Sequence, residues 1–156
     1  SGPLEKLDLG ELLAGIVVDA RFEGAAERVG IDFTAAPGLF VQANPELLHR
    51  AIENVVRNGL RFSTAGTSLQ IGAKREADGL IHLHIADQGS GVPEAELEAI
   101  FTPFYRGRNL ATGDGYGLGL AIARQVLSTV NGKIAAKMKA DGSPGLLIEI
   151  ILPATG

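Results

Sequence analysis

Two glycine clusters constrain this chain more than any other feature: Asp87-Gln-Gly-Ser-Gly91 and Gly113-Asp-Gly-Tyr-Gly-Leu-Gly119. Glycines spaced this closely let a backbone turn sharply and come within hydrogen-bonding distance of a phosphate chain. The first cluster closes a strand-like run, Leu80 to Asp87, in which Ile81, Leu83 and Ile85 alternate with His82, His84 and Ala86. That alternation predicts a half-exposed strand, paired through an Asp78-Gly79 turn with a strand over 68–73. The second cluster opens an amphipathic helix predicted from Tyr116 to about Val130 and stopped by Asn131-Gly132.

Helix and strand periods alternate through the remainder. Leu9, Leu12, Leu13, Ile16, Val17, Ala20 and Phe22 recur at helical spacing, predicting a helix from Leu7 to about Val29 that Gly30 ends. Residues 31–36 and 39–43 read as two short strands around the Pro37-Gly38 turn. Asn44-Pro45-Glu46 is a helix start, with a side-chain acceptor at the cap, proline in the first turn and an acid near the positive end of the dipole. This helix is predicted to reach Phe62, with Leu48, Ile52, Val55 and Gly59 inward and Arg50, Asn54, Arg57, Asn58 and Arg61 on a second, polar stripe. A short helix over 93–100 and closing strands over 133–140 and 146–152 complete the pattern. Helices returning to one face of a sheet imply an α/β, two-layer sandwich, a mixed sheet of about five strands covered on one face by three helices.

The bulk properties narrow the function. With 156 residues and 46% hydrophobic composition, one domain is expected, burying about 70% of its unfolded surface. Acidic and basic residues, 18 and 14, are mixed along the chain for a net charge of −4, so no basic face for nucleic acid and no polybasic tract for lipid is expected. An anionic ligand must be held by local geometry. Absence of cysteine excludes disulfides and thiolate metal sites. The apolar runs are short and interrupted, so the fragment is expected to be soluble and monomeric. Residues 1–6 read as a cloning scar or an interdomain linker, and 7–156 as the folded domain.

Candidate ligand groups lie on the polar stripe and in the glycine clusters. Asn54 and Asn58 stand one helical turn apart, so their amides project side by side. Asparagine inside a helix costs roughly half a kcal/mol relative to alanine, so two on one face ask for a compensating role. Magnesium keeps most of its waters and takes phosphate oxygens, so one neutral protein oxygen is a sufficient ligand. The Asp87 carboxylate, at a strand end beside Gly89 and Gly91, can accept from an exocyclic amine, and a carbonyl in that place would cost about 1–3 kcal/mol. Gly115, Gly117 and Gly119 leave helix-start N–H groups to face phosphates, without the lysine of a Walker A loop or the dinucleotide spacing. Residues 107–115 have few apolar side chains to bury and are expected to be ordered only by phosphate contacts.

In order, Glu53-Asn54-Val-Val-Arg57-Asn58, Asp87-x-Gly89-x-Gly91, Phe101-Thr-Pro-Phe104 and Gly115-x-Gly117-x-Gly119 resemble the ATP-binding catalytic domain of bacterial sensor histidine kinases, closest to the envelope-stress type, from Leu7 to Pro153. The resemblance implies the Bergerat ATP-binding fold. It implies Asn58 as the Mg2+ ligand, Asn54 as the group orienting phosphate or metal-bound water, and Glu53 as an acid assisting the reacting histidine. By the same resemblance Arg61, with Arg57 on its stripe, reaches the polyphosphate, Phe62 packs on adenine where tyrosine is more frequent, and Asp87 reads the base. Gly89, Gly91, Val92, Tyr105, Arg106, Gly115, Tyr116, Gly117, Leu118, Gly119 and Leu120 would complete the ATP site, with Phe101 and Phe104 as a hinge.

The family's phosphoacceptor histidine sits on a separate dimerisation hairpin, followed by an acid and a proline. His49, His82 and His84 have no such context. The chain is therefore expected to be the ATP-holding half of a kinase whose partners are that hairpin domain and a response regulator, on the cytoplasmic side of the bacterial inner membrane. Gyrase- and chaperone-type ATPases of the superfamily place a glutamate four residues before the metal asparagine, where Asn54 stands here. An anti-sigma-factor serine kinase and a docking pseudokinase are the remaining alternatives. Gly59, Asn44 and Leu146 depart from the alanine, aspartate and threonine frequent in the family.

Overall fold

The computed structural model describes residues 2–105 and 118–156. Five strands form the main sheet: β2 (Gly30–Ala35), β4 (Ser68–Arg75), β5 (Leu80–Ala86), β6 (Lys133–Met138) and β7 (Leu146–Pro153), in the order β2-β4-β5-β7-β6. β2 and β4 run parallel and the other neighbours antiparallel, giving the expected mixed sheet. Helices α1 (Leu9–Ala26), α2 (Pro45–Phe62) and α3 (Gly119–Ser128) supply the other layer. Ile81, Leu83 and Ile85 of β5 meet Leu146, Ile148 and Ile150 of β7 and Ile52 and Val55 of α2 in one buried cluster.

α2 forms where its sequence signals place it. The Asn44 side chain accepts from Leu47 N–H at 3.0 Å, and Ser63 closes the far end on the Gly59 carbonyl. Its inward face is almost dry, with Ile52, Val55 and Val56 wholly buried. Gly59 belongs to that face because a methyl there would come 2.6 Å from Leu69 Cδ1 of β4. The β4–β5 hairpin turns at Asp78-Gly79 as expected, with Gly79 at φ 80° and Leu80 N–H on Asp78 Oδ1 at 2.8 Å.

Several expectations are corrected. β1 (Glu5–Asp8) is an unpredicted strand, antiparallel to β3 (Phe40–Ala43). It takes Leu7 and Asp8 from the predicted helix, and Asp8 caps α1 by accepting from Glu11 N–H. β2 and β3 do not pair with one another: Pro37-Gly38 sends the chain from the main sheet to the small one, and β2 instead aligns Ile31 with Leu69 of β4. α1 ends at Ala26 rather than near Val29 because Arg28 turns to φ 59° and Val29 N–H folds back onto Gly24 O at 2.9 Å. The predicted helix over 93–100 is two separate 3₁₀ turns, Glu94–Glu96 and Ala99–Phe101, since so short a segment cannot offset helix nucleation. α3 stops at Ser128, where Asn131 takes φ 59° and Gly132 N–H closes on Leu127 O at 2.8 Å.

Candidate nucleotide site

The cleft is built where the C-terminal end of β5 meets the flank of α2 and the start of α3. Asp87 follows β5 directly and is 3% exposed, the single buried charged side chain among the described residues. Its Oδ1 accepts from Gly89 N–H at 3.0 Å and from Leu146 N–H at 3.1 Å, while its own N–H donates to Leu146 O at 3.0 Å. One carboxylate oxygen thus fixes both its own turn and the entry to β7. Gly89 is obligatory, because any side chain there would overlap the Phe62 carbonyl at the end of α2. Thr64 adds a second tie between these segments, with its hydroxyl and its N–H both donating to Gln88 O, at 3.0 and 3.4 Å. Gly91 has φ 76°, and Val92 behind it is buried.

On α2, the structure brings Asn54 and Asn58 to the flank facing α3. Asn54 Nδ2 donates to Gly119 O at 3.4 Å, a long bond that locates the first turn of α3. Asn58 Oδ1 is buried and has no hydrogen-bond partner. An orphaned amide oxygen at a polar cleft has the right chemistry for one position of a hydrated divalent cation, so the residues present fit magnesium. Glu53 is half-buried on α2, and Phe62 half-buried at the helix end. Arg61 is exposed, its guanidinium 6.0 Å from the Phe62 ring. Arg57 departs from the expected set. It pairs with Glu23 of α1 at 3.2 Å, on a neighbouring cleft that Phe22, Glu27, Leu60 and Arg61 also line.

α3 begins with no side-chain cap at Leu118, which is half-buried, then exposed Gly119 and buried Leu120. Its first-turn N–H groups and the positive end of its dipole open onto the Asn54 side. Tyr105 donates its hydroxyl to Glu96 Oε1 at 2.6 Å. Arg106, Gly115, Tyr116 and Gly117, with the expected behaviour of 107–115, lie outside the described residues.

Gly145 was missed by the sequence reading. It takes φ 118°, and any Cβ there would overlap Asp87 O. Its conformation delivers the Leu146 N–H to the buried carboxylate. The signal was the Ser143-Pro144-Gly145 turn, which only acquires meaning once β7 lies beside β5.

Residues 43–156 match the family of histidine kinase-, DNA gyrase B- and HSP90-like ATPases. The chain is 37% identical over 136 residues to the sensor protein PfeS of Pseudomonas aeruginosa, covering 87% of this chain and 29% of that protein. It is also 37% identical over 157 residues to the sensor histidine kinase CpxA of Escherichia coli, covering 96% and 32%. The chain thus spans about a third of the length of these curated relatives. Among solved structures, a mycobacterial sensor histidine kinase, MprB, superposes with a TM-score of 0.85 at 29% identity, covering 97% of each chain. The buried aspartate, the paired asparagines and the glycine-lined turns stand on the fold such kinases share, and the chain belongs to the histidine kinase-, gyrase B- and HSP90-like ATPase family as a catalytic domain of the sensor histidine kinase type.

Proposed function

We propose that this domain binds Mg-ATP between α2, α3 and the Asp87 turn and presents the γ-phosphate to a histidine on a separate dimerisation domain, for onward transfer to a response regulator. The observations that carry this reading are the buried Asp87 carboxylate held by two main-chain N–H groups and the buried, unpartnered Asn58 Oδ1 on α2. A carboxylate positioned in this way accepts a hydrogen bond from the exocyclic amine of adenine, and Gly89, Gly91 and Val92 let the base approach. Phe62 would supply a flat apolar side, and Arg61, which also lines the neighbouring cleft with Arg57, would reach the polyphosphate.

The Asn58 amide oxygen would hold a magnesium ion, which when bound neutralises phosphate charge and orients the triphosphate. Asn54 orients the phosphates, or water bound to that ion, and Gly119 and Leu120 turn helix-start N–H groups toward the same anion. Glu53, half-buried on α2, would assist the reacting histidine as a proton acceptor. His49, His82 and His84 lie on α2 and β5, so the nucleophile comes from another domain. Transfer rests on alignment and charge stabilisation.

The longer relatives are named as sensor proteins and sensor histidine kinases, which supports a membrane-anchored parent with this domain on its cytoplasmic side. No helix among the described residues is long and apolar enough to cross a membrane. The test is to supply a histidine-hairpin domain in trans with γ-labelled ATP. Acid-labile label on its histidine is expected, dependent on Mg2+ and on this chain. No label on a hairpin from any sensor kinase of the type matched, despite ATP binding, would refute the phosphotransfer reading.

A further inference from the structure

We propose that Arg124 is a positioning residue that sets the separation between the two walls of the nucleotide cleft, a role that rests on the ATP reading above. One wall runs from Asp87 through Val92 into the 3₁₀ turns and ends at Phe101, and the other is the start of α3. Arg124 lies on α3, and its guanidinium stands 4.5 Å from the centroid of the Phe101 ring. The same group meets Glu98 Oε1 at 2.6 Å.

The two contacts are unequal. Glu98 is 78% exposed and Arg124 40%, so their ion pair is screened and mainly orients the guanidinium. Phe101 is 3% exposed and belongs to the main core, so its ring is a fixed platform. A planar cation on a buried ring is held in distance and tilt, which a flexible surface pair does not achieve.

The leverage follows from sequence position. Arg124 sits five residues beyond Gly119, whose carbonyl also receives Asn54 Nδ2. α3 is therefore held from one side by its packing on α2 and from the other by Phe101. The Asn54 bond is long at 3.4 Å and cannot fix the helix alone. Without the Phe101 contact, α3 remains packed on α2 through Leu120, Ala123 and Leu127, which are buried, and its distance from the Ala99–Phe101 turn is then set from the α2 side alone.

A ligand that touches one wall is insensitive to this separation, and a ligand that bridges both is not. Calorimetry with adenosine and with Mg-ATP separates these cases in the parent chain, Arg124→Met, Arg124→Lys, Phe101→Leu and the Arg124→Met/Phe101→Leu pair. Arg124→Met is expected to weaken Mg-ATP about 3- to 10-fold, the size of a partly desolvated cation–π contact, while adenosine changes less than about twofold. Arg124→Lys, which keeps the charge without the planar group, recovers only part of the loss, and the double variant binds no more weakly than the worse single one. ATP affinity within about twofold of the parent in Arg124→Met overturns the role. So does equal weakening of ATP and adenosine with a lowered melting temperature, which marks a purely structural residue, and so do losses that multiply in the double variant, which mark direct contact with phosphate. Failure of the parent to bind ATP ends the nucleotide reading and this one with it, whereas binding by the parent confines any failure to Arg124.

Discussion

Asp87→Asn separates the two jobs of the buried carboxylate. Oδ1 accepts from Gly89 and Leu146 N–H groups at 3.0 and 3.1 Å, and an asparagine oxygen in the same place can accept both. The turn is preserved, and the melting temperature is expected to stay within about 2 °C of the parent. What changes is the other terminal atom, which becomes an N–H2 donor where adenine presents its own amine. Losing a charge-assisted hydrogen bond costs about 1.5–3 kcal/mol, and 1.4 kcal/mol is a factor of ten, so ATP binds about 10- to 150-fold more weakly. Asp87→Ala is the contrasting perturbation. It strands two buried N–H groups at about 1–3 kcal/mol each and lowers the melting temperature by about 5–20 °C. Calorimetric titration with Mg-ATP and Mg-GTP, beside thermal melts, reads both effects. Unchanged ATP affinity in Asp87→Asn would refute the base-reading role, and an unchanged melt in Asp87→Ala would refute the structural one.

Gly89→Ala pushes a methyl into the Phe62 carbonyl, and overpacking of this kind costs about 1–3 kcal/mol. A melt lowered by about 3–10 °C with weakened ATP binding is expected, and a parent-like melt would show that the close approach is not rigid. Asn58→Ala removes an orphaned buried oxygen, so the free protein should melt within about 2 °C of the parent, while the Mg2+ enhancement of ATP binding, followed by calorimetry with and without the ion, disappears. On the open face of the sheet, His82 bonds Asp78 Oδ2 at 2.9 Å and Glu149 Oε2 at 3.4 Å. Lys137 bonds the other Glu149 oxygen at 2.7 Å, and Lys74 is the cross-strand neighbour of His82. The Asp78 bond, then Glu149, raise the His82 pKa against the opposing effect of burial, so its stabilisation is complete below about pH 6.5 and fades as pH rises through the elevated folded value. Leu80 N–H and His82 lower Asp78, and Lys137 chiefly lowers Glu149, so those contributions hold above the ordinary carboxylate range and fade in acid. The melting difference between the parent and His82→Gln should therefore be largest near pH 5.5–6 and shrink by roughly 1–3 °C toward pH 8.5, and a difference independent of pH would remove the ring's proton from the account.

The legible parts of this molecule are those specified by neighbouring residues. α2 carries its cap, its dry face and its polar stripe within eighteen positions, and β5 announces itself by strict alternation. Both lead directly into candidate ligand groups, so Asn54, Asn58 and Asp87 could be placed before any tertiary contact was known. The illegible parts depend on partners far along the chain. Nothing local in Glu5–Asp8 says that it pairs with Phe40–Ala43, and the parallel match of Ile31 with Leu69 spans a whole helix. Arg57 reads as a phosphate-facing base on a helical wheel, and only the packing of α1 against α2 reveals Glu23 as its partner. Gly145 is of the same kind, a turn residue whose strained conformation matters because β7 brings it against Asp87.

The site's chemistry turns on what Asn54 is not. A water-activating ATPase needs a proton acceptor one helical turn before the residue that holds the metal, and the structure puts an amide there with its nitrogen turned to Gly119 O. An amide oriented in this way can align phosphate or a metal-bound water but cannot take its proton. The nearest acid on α2 is Glu53, about 100° around the helix from Asn54, so it is not on the stripe that carries Asn54 and Asn58. On the proposed reading, with the adenine at Asp87 and the triphosphate at Asn58 and the α3 start, the phosphates would be stabilised without a base aimed at water in line with them. Such an arrangement would make a poor hydrolase and a good donor: the barrier would fall when a histidine arrives from the partner domain within reach of Glu53, and ATP would be kept until then.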